Sequence, residues 1–243
     1  MFRQAGDKLR AAVTAGLLGH LLALQHQDAS AGDLLDQSQS LLRDLDTYEF
    51  DAPDRVQQLL TVALLYNFLG QIRLSQEDHG AASVLFTEAL AAARRSPDRV
   101  TILISLYDLA VSSHAQGDLP GAAAHLTEGL SLAAEAGDET SAACYLKGLA
   151  VMATPQDSPE RAVHMLAAAG ALLEAKGSGW LQAFLPSDTR GDEALAVLRS
   201  RLGDAAFEAA WAFGRSIAGK RAVEYALNSG EATTPGRDPI ELR

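Results

Sequence analysis

The chain has 243 residues, is 48% hydrophobic and carries a formal net charge of -11. That hydrophobic content excludes a disordered chain, and the acidic balance sets the surface against phosphate backbones and anionic membranes. A single cysteine, Cys144, excludes an intrachain disulfide and a cysteine-based zinc site, and it fits a reducing cytoplasm.

Aromatics make up only 6%, and alanine and leucine dominate over valine and isoleucine. The strong helix formers therefore outweigh the strand formers, and the expected class is all-α. The N-terminal stretch, 1–25, reads as an amphipathic helix rather than a targeting signal. Thr14, His20 and Gln25 interrupt its apolar run, and no small-residue cleavage site follows. No apolar run has the length of a membrane span.

From about residue 55 the chain repeats with a spacing of 40 residues. Leu69-Gly70 answers Leu109-Ala110 and Leu149-Ala150, while Ala82, Phe86 and Ala89 answer Ala122, Leu126 and Gly129, then Ala162, Leu166 and Ala169. Each unit reads as two helices separated by turn residues: Glu77 to Gly80, Gln116 to Gly121, and Thr154 to Pro159. Ser158-Pro159-Glu160-Arg161 reads as a helix start, with Ser158 as the cap and Pro159 at the first helical position. Ser96-Pro97-Asp98 and Ala136-Gly137-Asp138 separate whole units. A weaker unit, with Leu18-Gly19, Ala31, Leu35 and Ser38, comes before them and is joined through a longer link, 46–53.

The expected architecture is an all-α stack of about four helical hairpins over 1–176. Capping helices follow over 177–228, predicted near 192–202, 205–217 and 220–228, and a disordered polar tail over 229–243. Trp180, Phe184, Phe207, Trp211 and Phe213 gather in the capping part, as a closing core or as an exposed dimer surface.

Leu69-Gly70, Ala82, Phe86 and Ala89, with Tyr66 at the aromatic position, resemble the tetratricopeptide repeat, in which small residues let two helices pack closely. The 40-residue period exceeds the usual one of about 34. It resembles the longer variant in the helical-repeat domains of large bacterial ATP-dependent transcriptional activators. The segment Leu198 to Arg215, with Leu202-Gly203-Asp204, Phe207, Ala210-Trp211 and Gly214-Arg215, is similar to the end of that repeat domain in LuxR-type regulators. A helix of Glu-Ala-Val type follows there; here it is Lys220 to Leu227, and the helix around Arg161 to Leu173 resembles the segment preceding it. In that family a nucleotide-binding domain lies upstream and a helix-turn-helix domain downstream. No phosphate-binding loop of the Gly-x-x-x-x-Gly-Lys-Ser/Thr type occurs here, so the resemblance supports neither ATP hydrolysis nor DNA binding by this chain. It reads the chain as a fragment, a degenerate paralogue or a stand-alone relative.

Residues suited to chemistry are scattered. The six histidines (His20, His26, His79, His114, His125 and His164) lack metal-ligand spacing. Cys144 has no neighbouring base and reads as a structural, buried thiol. Ser112-Ser113-His114 are adjacent on one helix and do not face one another. No catalytic residue, metal or cofactor is expected.

What the resemblance implies instead is a right-handed α-α superhelix whose concave groove is lined by the first helix of each hairpin. Asn67, Tyr107 and Lys147 fall at one equivalent groove position, Gln71, Val111 and Val151 one turn on, and His114 and Thr154 next. Asn67, Gln71, Tyr107, His114 and Lys147 are the candidate contacts, expected at exposed positions. The paired Lys and Asn that some such repeats use to clamp a C-terminal carboxylate are absent at the matching positions.

The expected function is a non-catalytic cytoplasmic sensor or protein-interaction domain of a bacterial transcriptional regulator. Its partner would be a protein or peptide, or a small-molecule effector, with no direct nucleic acid and no membrane. The alternatives are a self-associating scaffold, as a homodimer, and an enzyme built on a helical superhelix.

Overall fold

A computed structural model describes residues 2–25, 28–46, 55–96, 98–153, 158–177, 190–217 and 219–228. Among them every regular element is helical: α1 (Phe2–Leu24), α2 (Asp28–Asp46), α3 (Arg55–Ser75), α4 (His79–Arg94), α5 (Arg99–Ala115), α6 (Leu119–Glu135), α7 (Glu139–Gly148), α8 (Pro159–Lys176), α9 (Arg190–Leu202), α10 (Asp204–Ser216) and α11 (Lys220–Leu227). The all-α expectation and the series of hairpins hold. Residues 47–53 of the expected link, Thr154, the segment with Trp180 and Phe184, and the tail 229–243 lie outside the described residues.

The hairpin boundaries follow from one turn repeated along the chain. Asp78, Asp98, Asp118 and Asp138 recur every 20 residues, each preceding a helix. Each carboxylate accepts a backbone N–H three residues on: Ala81 at 3.1 Å, Thr101 at 3.0 Å, Gly121 at 2.9 Å and Ser141 at 3.0 Å. Such a cap satisfies one of the free N–H groups of the first turn and contributes about 1 kcal/mol. Just before three of these aspartates the chain turns left-handed, at Glu77 (φ 61), Gly117 (φ 78) and Gly137 (φ 68). There the N–H of Asp78, Asp118 and Asp138 reaches back to the carbonyls of Arg73, Ser113 and Ala133, closing the preceding helix. Ser158 departs from the expected cap: Pro159 does open α8, but the Ser158 side chain makes no capping hydrogen bond.

The chain forms two compact units, Met1–His125 and Leu126–Arg243. In the first, α1 packs on α2, α3 on α4 and α4 on α5, and α3 runs beside α5. Its core joins Leu35, Leu42 and Leu45 of α2 to Leu59, Val62, Tyr66 and Leu69 of α3, and to Leu85 and Ala89 of α4. Each fully buried leucine contributes about 1.5–3 kcal/mol by leaving water. Gly70 is needed here, because a Cβ on it would run into the ring of Phe86. That is the close approach which the Leu69-Gly70 and Phe86 positions of the repeat predict.

In the second unit α7 packs on α8, and a π-helical turn, Leu149–Ala153, extends α7. α9, α10 and α11 all pack against α8. Phe207 is buried and stacks on Trp211, with ring centroids 5.8 Å apart. Phe213 is 43% exposed, and one side of its ring lies against His164, 4.6 Å between centroids.

Candidate functional site

Of the candidate contacts, Asn67 and Gln71 sit one turn apart on α3, and both reach α5. Asn67 Nδ2 donates to Ser105 Oγ at 3.0 Å, and Ser105 Oγ donates to the carbonyl of Thr101 at 2.9 Å. Asn67 Oδ1 is buried and accepts no hydrogen bond from any described residue. Gln71 Nε2 lies 3.4 and 3.3 Å from the two carboxylate oxygens of Asp108. Asp108 is fully buried, and loss of water around it pushes its carboxyl well above the usual range, only partly offset by the Gln71 hydrogen bond. Ser105 and Asp108 were not among the sequence candidates. The signal for them is a carboxylate and a hydroxyl inside the otherwise apolar run Ile102 to Val111 of α5.

The other candidates are placed separately. Tyr107 is buried on α5, and His114 is half-buried near the end of that helix, where its carbonyl accepts the N–H of Gly117 at 3.0 Å. Lys147 belongs to the second unit and is half-buried on α7. Its Cε and Nζ would lie 2.6 and 2.9 Å from a Cβ added at Gly191, so a larger residue at the start of α9 would push the end of the lysine side chain aside.

Exposure is where the sequence reading needs correction. Asn67 is 3% and Tyr107 5% exposed, so neither stands at an open groove position. The cause is the enclosure of α5, which is buried almost continuously from Thr101 to Ser113. Gln71 and His114, both half-buried, remain the accessible candidates of the first unit.

Isolated reactive-looking groups have structural roles. Ser112 Oγ donates to the carbonyl of His79 at 3.0 Å, tying α5 to the start of α4, and His79 opens that helix rather than sitting in the turn. Cys144 is buried on α7. His20 packs edge-on against Phe68, 5.1 Å between ring centroids. Among the described residues no group of three or more His, Cys, Asp or Glu side chains is arranged to hold a metal, and no helix is long and apolar enough to cross a membrane.

No curated protein matches the chain. A family model described as tetratricopeptide repeat matches residues 61–135, from the middle of α3 to the end of α6. Over that span the chain is a tetratricopeptide-like helical repeat, a kind of fold that generally mediates protein–protein interaction and is typically non-catalytic.

Proposed function

We propose that this chain is a binding domain whose first-helix face, centred on Gln71 and His114, takes up a protein or peptide segment. We further propose that it serves as the sensor or interaction part of a bacterial transcriptional regulator. The observation that carries the binding role is the polar seam between α3 and α5. There Asn67 Oδ1 accepts nothing from the described residues, and the Asp108 carboxyl has Gln71 as its sole hydrogen-bonding side chain among them, at long range. Buried polar groups are normally satisfied. Under-used acceptors behind a half-exposed glutamine suit a face that rearranges when a hydrogen-bonding chain is laid against it. The regulator context rests on the resemblance of Leu198 to Leu227 to the end of LuxR-type repeat domains. A binding event that favours one arrangement of the stack would shift the state of a linked partner.

A second reading is self-association through the C-terminal aromatics, favoured by the exposure of Phe213. Native mass spectrometry of the purified chain, with light scattering beside it, separates these readings. A non-covalent adduct of small mass, lost on denaturation or in the Gln71→Ala variant, supports an effector on this face. A doubled mass that returns to single in Phe213→Ser supports the scaffold. A bare monomer that no peptide library member engages contradicts both.

A further inference from the structure

The second unit carries a half-open pocket of about 620 Å³ to which the α3–α5 seam contributes nothing. One whole face of α11 lines it: Lys220, Val223, Glu224 and Leu227 are spaced i, i+3, i+4 and i+7. The opposite walls come from the last turns of α6, the 137–139 turn, Ala142 of α7 and Leu172 of α8. Its size is that of a small-molecule site, and its walls are mainly apolar.

The charges around it differ in availability. Asp138 is committed to the cap of α7, accepting from the Ser141 N–H at 3.0 Å and from Thr140 Oγ1 at 2.8 Å. Glu139 pairs with Lys176 at 3.0 Å. Glu135 and Glu224 are exposed and form no ion pair among the described residues. Among the described lining residues Lys220 is the single cation, against four acidic side chains. A half-open, mainly apolar pocket rimmed by two carboxylates without an ion pair among the described residues, on a chain of net charge -11, attracts a cation and repels an anion.

α11 is fixed from behind rather than by the cavity. Arg161 Nη2 donates to the carbonyl of Ala226 at 3.0 Å, and His164 Nδ1 is 2.8 Å from Tyr225 Oη. These two contacts hold the wall without help from the pocket side, so a ligand need not first order the helix.

The geometry points to a binding site for a hydrophobic organic cation, with its apolar body against Leu172, Val223 and Leu227 and its ammonium or guanidinium head between Glu135 and Glu224. The site is independent of the partner-binding face proposed above.

Isothermal titration calorimetry of the full chain with 1-naphthylmethylamine, and with 1-naphthaleneacetic acid as the anion of similar body, tests it. The expected result is one saturable site per chain for the amine, weakened by salt, and none for the acid. The double variant Glu135→Gln, Glu224→Gln should bind about three- to tenfold more weakly, the loss expected for two exposed ion pairs. Ala134→Phe, at an exposed lining position, should block binding while circular dichroism and Tm stay those of the parent. Absence of saturable amine binding, equal binding of the acid, or amine binding unchanged in both variants would overturn the proposal.

Discussion

Gln71 Nε2 faces both carboxylate oxygens of Asp108, 3.4 and 3.3 Å away, across the contact between α3 and α5. The carboxyl is fully buried, and its affinity for a proton is raised by that burial. In the unfolded chain an aspartate titrates near its ordinary value of about 3.9. Above that pH the unfolded state gives up a proton that the folded state retains, so stability falls as pH rises from there through the folded value. Asp108→Asn keeps the shape and an acceptor for Gln71 but cannot ionise. Thermal melts should give the variant a higher Tm than the parent at pH 7–8, with the difference shrinking towards pH 4. A parent Tm unaffected by pH over that window, or a variant that melts lower at every pH, would contradict the assignment.

His164 shows the opposite sign in the second unit. Its ring lies against Phe213 and 2.8 Å from the Tyr225 hydroxyl, and burial lowers its proton affinity, with Glu160 opposing in part. A base depressed in the fold contributes stability above its unfolded value of about 6.5, and that contribution is lost as pH falls below it. Between pH 7 and pH 5 the His164 contribution to stability should fall, against the opposite trend set by Asp108. His164→Gln, which does not titrate, should lose that part of the slope, as read from urea midpoints at each pH.

Glu77 is the one described residue other than glycine with positive φ, and it occupies the turn position that Gly117 and Gly137 hold elsewhere. Glu77→Gly should relieve the left-handed strain and raise stability by about 0.5–1 kcal/mol, measured by denaturant unfolding. Gly117→Ala should destabilise by a similar amount. Equal and opposite behaviour of these two variants would separate backbone strain from loss of the glutamate charge.

Gly214 meets α8 where no side chain fits. A Cβ there would lie 2.5 Å from the carbonyl oxygen of His164 and 2.8 Å from its Cα. Backbone cannot swing aside as a side-chain tip can, so Gly214→Ala should cost about 1–3 kcal/mol as an overpacked contact. Gly170→Ala, at a position where a Cβ meets nothing, serves as the control and should leave the melt unchanged or raise it slightly.

How much was legible follows from what repeats and what does not. The 40-residue echo of Leu69-Gly70 and Phe86 located the hairpins, because each copy supplies independent evidence for the same close packing. The aspartates at 78, 98, 118 and 138 mark the helix starts because capping is local chemistry. The site was less legible. Asn67 and Tyr107 were expected in the open and are buried, since helical periodicity identifies faces but not how many neighbours enclose them. Asp108 and Ser105 went unnoticed because the partners that define them, Gln71 and Asn67, stand 37 and 38 residues away. The Ser158 cap shows the converse, a correct local pattern whose hydrogen bond the structure does not make.

The most direct test of the binding claim is site-specific photo-crosslinking in a native cell extract of the source organism. One copy of the chain carries a benzophenone amino acid at Gln71, another at His114 and a third at Val84, an outward position on α4 that is 56% exposed. The account predicts one discrete crosslinked partner from both Gln71 and His114, none from Val84, and competition by the unlabelled chain but not by its Asp108→Lys variant, provided that variant is folded by circular dichroism. Crosslinks of equal yield and identity from all three positions, or none from Gln71 and His114, would contradict it.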